Sequence, residues 1–324
     1  MSTPNTVEAN RAVVAQQCGR TVLWVGVETR GWQLADWRAC GQFAHSLGVD
    51  SICAKVADGG VKWYGGPEQL AAIRDTVHTT GCGFIPFSYL YGPRFAMPKQ
   101  AQDECAILAE LLSVCPIAQA DMEAEFNNQP AAAQLYEQLL RPVKGLLSVS
   151  TWADPIQQAW EGVAHDLAPA VNQWVIQQYT NWLAAQEGQY DPAVFTCIAP
   201  GVDLRPEFGA DNALAIVEAA IQHGHQTVYI WEYESARANP DLVKQITQAM
   251  RAVRGPETAG SAAPVPPAPS ASPAPTTTDY HVVAGDTLSA IATRFHTTIA
   301  AIMALNPIIT NPDFIEAGWD LKLP

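Results

Sequence analysis

Apolar positions along the first 254 residues fall into two alternating rhythms. Short runs rich in β-branched and aromatic residues stand at 21–28 (TVLWVGVE), 50–57 (DSICAKVA), 82–90 (CGFIPFSYL) and 116–123 (PIAQADME). Four more follow at 145–151 (GLLSVST), 173–179 (QWVIQQY), 193–199 (AVFTCIA) and 226–232 (QTVYIWE). Runs of this length, bounded by polar or glycine-bearing segments, read as strands buried on both faces. Between them the spacing turns helical, at 33–47, 98–113, 129–142, 209–223 and 239–253. Pro67, Pro98, Pro155 and Pro240 mark helix starts, where a missing N–H costs nothing. Eight strands, each followed by a crossover and repeating about every 30 residues, predict a (β/α)8 barrel. A doubly wound open sheet is the competing architecture, but no G-x-G-x-x-G follows the first run.

The rhythm stops at residue 255. Seven of residues 255–278 are proline and the rest are almost all small or hydroxylic, a composition that forms a semi-rigid extended spacer rather than a core. Beyond it lies a compact pattern: a short strand, a Gly-Asp turn that caps a helix, a second amphipathic helix, an Asn-Pro turn and a closing strand. The expected division is an N-terminal extension at 1–20, the barrel at 21–254, the linker at 255–278 and a small α+β domain at 279–324.

Composition narrows the function. At 48% hydrophobic and 15% charged, the chain of 324 residues buries a sizeable core. Its 18 basic and 32 acidic side chains give a net charge of −14, which repels a phosphate backbone and argues against nucleic acid as partner. No run approaches the length of a membrane-spanning helix. The first twenty residues lack a basic start followed by an apolar block, so synthesis in the cytoplasm without a classical signal peptide is expected. The seven cysteines form no C-x-x-C and read as buried reduced thiols. The histidines form no H-E-x-x-H, His223 and His225 only flank a turn, and no G-x-S-x-G occurs, so neither a metal, a cofactor nor a nucleophilic serine is expected.

Barrels of this kind carry their chemistry at the C-terminal ends of the strands. Those ends hold Glu28, Asp58, Tyr89, Tyr91, Asp121, Glu123, Trp152, Tyr179, Trp231, Glu232 and Glu234, with Lys55 and Arg205 as the few cations. Carboxylates and aromatics on one rim suit a neutral carbohydrate, since rings stack on sugars while acids bond hydroxyls and move protons. Asp121 and Glu123, two apart at the end of the fourth run, share a face, and two close carboxyls push their pKa values apart. Glu123 is the candidate general acid and Asp121 its partner. Glu28 and Glu232 are candidates for a further catalytic carboxylate, and Asp58, Tyr89, Tyr91, Trp152, Tyr179, Trp231 and Glu234 for substrate binding.

Two resemblances add to this reading. From Tyr280 onward, Tyr280-x-Val282, Gly285-Asp286-Thr287-Leu288, Ile291-Ala292, Phe295, Leu305-Asn306-Pro307, Gly318, Leu321 and Leu323-Pro324 closely resemble a LysM module. The resemblance implies a βααβ fold that binds N-acetylglucosamine-containing glycans, chiefly peptidoglycan or chitin. Its groove would be formed by Gly285, Asp286, Thr287 and Leu288 with Asn306, Pro307 and Ile308. More loosely, the barrel resembles the family 25 glycoside hydrolases, which are lysozyme-like muramidases. Asp121-Met122-Glu123 matches that family's D-x-E, whose Glu is the proton donor; Pro86-Phe87-Ser88-Tyr89 and Gln177-Gln178-Tyr179-Thr180 match its third-strand and W-Q-Y segments. Where that family has Gly-Ile-Asp on its first strand, this chain has Gly26-Val27-Glu28.

The leading expectation is therefore a peptidoglycan hydrolase of muramidase type, targeted by a LysM module and of phage endolysin or phage-tail-like particle type. It would act at the bacterial cell wall after lysis or within a released particle. Two alternatives stay open: a non-catalytic wall-binding component of a phage tail or contractile injection particle, with other particle proteins as partners, and a chitinase-like hydrolase.

Overall fold

The computed structural model describes residues 4–92, 98–151, 158–178, 191, 193–252, 278–282 and 318–323, together with Ile291, Phe295, Ile302 and Asn306. The chain divides into two units, Met1–Glu257 and Thr258–Pro324.

In the first unit a helix, α1 (Pro4–Cys18), precedes the alternating series β1 (Thr21–Val25), α2 (Leu34–Ser46), β2 (Ser51–Asp58), β3 (Val61–Lys62), α3 (Pro67–His78), β4 (Gly83–Leu90) and α4 (Lys99–Val114). There follow β5 (Ile117–Met122), α5 (Pro130–Leu140), β6 (Leu146–Thr151), α6 (Gln158–Leu167), β7 (Gln173–Gln178) and β8 (Ile198–Asp203). The unit ends with α7 (Ala210–Gln222), β9 (Val228–Trp231), α8 (Tyr233–Ala238) and α9 (Pro240–Ala252). Around the sheet the order is β1-β9-β8-β7-β6-β5-β4-β2, and parallel pairing of β1 with β2 (Leu23 with Ile52, Trp24 with Cys53) closes it. The result is a closed eight-stranded parallel barrel, as the sequence rhythm predicts. The short β3 pairs antiparallel with the end of β2, Asp58 opposite Val61, and raises one side of the rim.

Strand alternation sorts the core into two layers. Leu23, Ile52, Phe84, Ala118, Leu147, Ile176 and Ile230 face the surrounding helices. Val22, Trp24, Cys53, Ile85, Phe87, Ile117, Val175, Ala199 and Tyr229 fill the barrel interior. Val14 and Cys18 of α1 join that inner cluster, so the first helix caps the interior at the N-terminal end of the strands. A ladder of polar side chains crosses the interior: Gln119 Oε1 accepts from Trp24 Nε1 at 2.7 Å and from Cys53 Sγ at 2.9 Å, while Gln173 Oε1 accepts from Tyr229 and Ser148. All seven cysteines are buried and free, and burial pushes their thiols up, Cys197 to about 11 and Cys18 to about 12.

One strand lies elsewhere than expected. The apolar run at 193–199 is largely a packed turn, in which Val194 and Phe195 both bond the Asp191 carbonyl and Val194 O accepts from Trp174 Nε1. The seventh barrel strand is β8 at Ile198–Asp203, whose Pro200 and Gly201 conceal it from a propensity reading. Gly201 is required there, because a Cβ would meet the Trp24 ring at 3.0 Å.

In the second unit, β10 (Thr278–His281) pairs antiparallel with β11 (Asp320–Leu323). Val282, Ile291, Ile302 and Leu321 form a small core with Tyr280, Phe295 and Trp319 packed against it. Asn306 is buried, and its side chain serves the fold. Its Nδ2 donates to the carbonyls of Ile302 (2.7 Å) and Lys322 (2.8 Å), and its Oδ1 accepts from Lys322 N at 2.8 Å. Both amide hydrogens and one of the two lone pairs of Oδ1 are thereby used within the fold. Gly285, Asp286, Thr287, Leu288, Pro307 and Ile308 lie outside the described residues.

Candidate active site

One step beyond the filled interior, the inward parity of each strand reaches Gly26, Lys55, Tyr89, Asp121, Ser150, Gln177, Asp203 and Trp231. This ring is the floor of the barrel mouth, and it is far more polar than the layer beneath it.

Asp121 is its centre on the β5 side. The carboxyl is 6% exposed, and burial, reinforced by the neighbouring Glu123, pushes its pKa up to about 8. Ser150 Oγ donates to its Oδ1 at 2.7 Å. Gln177 Nε2 reaches both acids, 3.2 Å from Asp121 Oδ1 and 3.4 Å from Glu123 Oε1. Strand β5 ends at Met122, so Glu123 already leads into a 3-10 turn, Ala124–Phe126, yet the Gln177 amide still holds the two carboxyls together. Glu123 is half-buried where Asp121 is buried, so it is the member of the pair that faces outward. Tyr89 Oη donates to Glu125 Oε2 at 2.8 Å and lies 3.5 Å from Glu123 Oε2. Burial and these carboxylates raise the Tyr89 phenol far above its ordinary range, which keeps it a donor. Its ring meets Tyr91 edge-on at 5.1 Å. The Tyr91 and Gly92 amides are fixed by the buried Glu104 carboxylate at 2.8 and 3.3 Å.

A second group of acids stands across the mouth, on the β1 and β9 side. A Cβ built on Gly26 would meet Glu28 Oε2 at 3.1 Å and Glu232 Oε2 at 3.8 Å, so the absent side chain makes room for two carboxyls. Burial and the Glu28 charge raise the Glu232 carboxyl. The buried Asp203 beside them is neutralised by Arg205, whose Nη2 donates to Oδ2 at 2.6 Å. β9 and β5 are four strands apart in the ring of eight, which sets Glu232 opposite Asp121.

The remaining candidates separate. Asp58 ends β2 and pairs with Lys55 at 3.0 Å. Trp231 points into the mouth, its ring edge-on to Trp24 at 5.3 Å, rather than outward under the helices. Strand alternation stops at Trp231, where the strand ends. Tyr233 begins α8 and packs on Phe43 and Trp32, while Glu234 is exposed and pairs with Arg237 at 3.2 Å. Glu234 is therefore a helix-surface acid and not part of the ring. Trp152 and Tyr179 lie outside the described residues. Sequence reasoning passed over Ser150 and Gln177; the available signal was the inward parity they share with Ser148 and Gln173 of the same strands. Among the described residues no group of three potential metal ligands converges.

With this geometry established, comparison with known proteins divides along the chain. Residues 280–324 match the LysM domain family. The C-terminal segment is a LysM domain. A curated relative, an endolysin of Bacillus phage PZA, is 48% identical over 44 residues, which is 14% of this chain and 17% of the endolysin. The match thus spans about a sixth of that relative's length. The barrel is similar in fold to an endo-1,4-beta-mannanase from Rhizomucor miehei (TM-score 0.51, 6% identity, 71% of this chain and 94% of that one). It is also similar to a GH113 beta-1,4-mannanase (TM-score 0.50, 10% identity, 71% of this chain and 98% of that one). At these identities the likeness concerns the fold alone.

Proposed function

We propose that the barrel is a glycoside hydrolase acting on peptidoglycan, with muramidase-type chemistry, and that the LysM domain holds it on that polymer. The observation that carries this reading is the acid pair of Asp121 and Glu123, bridged by the Gln177 amide at the barrel mouth, and in this scheme the pair shares one proton near neutral pH. Burial and mutual repulsion keep one carboxyl protonated while the other is charged. Glycosidic cleavage needs a proton delivered to the leaving oxygen as the sugar gains oxocarbenium character, and a carboxylate to stabilise it or to direct water.

In this scheme Asp121 is the buried reservoir and Glu123, facing the mouth, is the general acid. The pair's one proton passes through Glu123 to the leaving oxygen, the Gln177 amide, within reach of both acids, donates to the carboxylates left behind, and the attacking water returns a proton to the pair. Tyr89 and Ser150 fix the two carboxyls in place. Glu28 and Glu232, across the mouth, are positioned to bond sugar hydroxyls or stabilise positive charge from the opposite face. The LysM match and the endolysin relative support the cell wall as the polymer, and tethering raises its local concentration at the barrel without new contacts. Release from a lysed cell or carriage on a phage-like particle is the setting in which such a protein meets a wall.

Digestion of purified peptidoglycan, with new reducing ends counted and the terminal sugar identified, tests the proposal. Muramic acid at the new reducing ends is the expected product. Glucosamine there would contradict the muramidase assignment, and no new ends at all would contradict hydrolysis.

A further inference from the structure

Among the described residues positive charge is scarce around the mouth, and most of it is already engaged. Lys55 pairs with Asp58, and Arg205 with Asp203. Arg30 differs. It is exposed, has no carboxylate partner among the described residues, and holds its guanidinium 5.9 Å from the ring centroid of Trp63. The turn that carries it, Val27–Thr29, does not swing freely, because Thr29 Oγ1 bonds the carbonyls of Lys55 and Gly26. Trp63 is fixed in turn by its backbone N–H to Val56 O at 2.9 Å, just past β3.

These residues form a continuous line to the acid pair. The Lys55 ammonium lies 5.4 Å from the Trp63 centroid and 5.1 Å from that of Tyr89, and Tyr89 Oη reaches Glu123. On the same two rim segments, Val27 and Val61 are 69% and 59% exposed, apolar surface of the kind that covers the C–H face of a sugar. A guanidinium drawn over an indole face keeps its N–H edge for a bidentate acceptor. A carboxylate approaching this rim meets Asp121, Glu123, Glu125, Glu28 and Glu232, all repulsive when ionised. An unpaired cation is what admits it.

We infer that Arg30, held on Trp63, recognises a carboxylate carried by the glycan beside the acid pair, so that the barrel selects a carboxylate-bearing amino-sugar polymer over an uncharged one. This rests on the glycosidase reading above and sharpens it. Peptidoglycan carries a lactyl ether on alternate sugars, and its peptide extensions end in further carboxylates. Chitin, built on the same β-1,4 amino-sugar backbone, carries none.

The test compares kcat/KM on three soluble substrates: peptidoglycan fragments, the same fragments with their carboxylates amidated, and N-acetylglucosamine oligomers of equal length. Wild type, Arg30→Gln and Arg30→Lys are measured, with thermal unfolding as a check on folding. Loss of one charge-assisted contact lowers kcat/KM of Arg30→Gln on native fragments by about tenfold, mainly through KM. Arg30→Lys restores part of it, and the uncharged oligomers are cleaved equally by all three proteins. Amidation costs the wild type a similar factor and costs Arg30→Gln nothing further. An equal fall on charged and uncharged substrates, or an amidation penalty that persists in Arg30→Gln, would overturn carboxylate recognition and leave the glycosidase reading standing. Absence of cleavage of every substrate by the wild type would overturn that reading, and this inference with it.

Discussion

Asp121 is a carboxyl whose setting works against its charge, and this has consequences for pH. Its folded-state pKa lies above its unfolded value, so the stability it contributes is present below the ordinary carboxylate range and is lost as pH rises through about 8. Asp121→Asn should flatten that fall, which runs from the ordinary carboxylate range up to about 8, in a denaturant titration repeated across pH. Activity should show the same group from another side. The alkaline limb of kcat/KM is expected near the point where the pair loses its shared proton. In Asp121→Asn the limb should move to lower pH, because Glu123 no longer faces a neighbouring carboxylate. A limb that stays in place would show that the pair does not share the proton. The acids were legible in the sequence because Asp-x-Glu stands at the end of an apolar run. Ser150 and Gln177 were not, since each stands among other polar residues of its strand, and only closure of the barrel brings these two to Asp121.

At the level of elements, periodicity located the helices to within a residue or two, as in Leu34–Ser46 against 33–47 and Ala210–Gln222 against 209–223. It failed at β8, where a proline and a glycine required by the Trp24 ring interrupt the apolar signal. It also gave no role to residues 1–20, because among the described side chains of α1 only Val14 and Cys18 are buried, and what they cover is supplied by distant strands. Val14 is 1% exposed within the barrel interior, while Val13 beside it is 45% exposed. Val14→Ala should therefore cost about 2 kcal/mol, a fall in Tm of roughly 4–8 °C, by removing buried methyl groups. Val13→Ala should fall within about 0.5 kcal/mol of wild type. Equal effects in thermal unfolding would show that α1 does not cap the barrel through this face.

For the whole molecule, a net charge of −14 opposes electrostatic attraction to an anionic wall, and the proposed attachment rests on the LysM domain instead. If attachment runs through uncharged sugar groups, co-sedimentation of the full chain with purified wall should hold as salt rises, where an ion-paired interface would weaken. Catalysis and attachment are then separate properties of one chain, and the acid pair is the part on which the proposed activity depends. The most direct measurement is the rate at which new reducing ends form when purified peptidoglycan is digested by wild type and by Glu123→Gln, with wall binding measured in parallel. Loss of the general acid should lower the rate by about 100-fold or more while binding is unchanged. A Glu123→Gln protein that cleaves the wall at the wild-type rate would contradict the assignment of the acid pair.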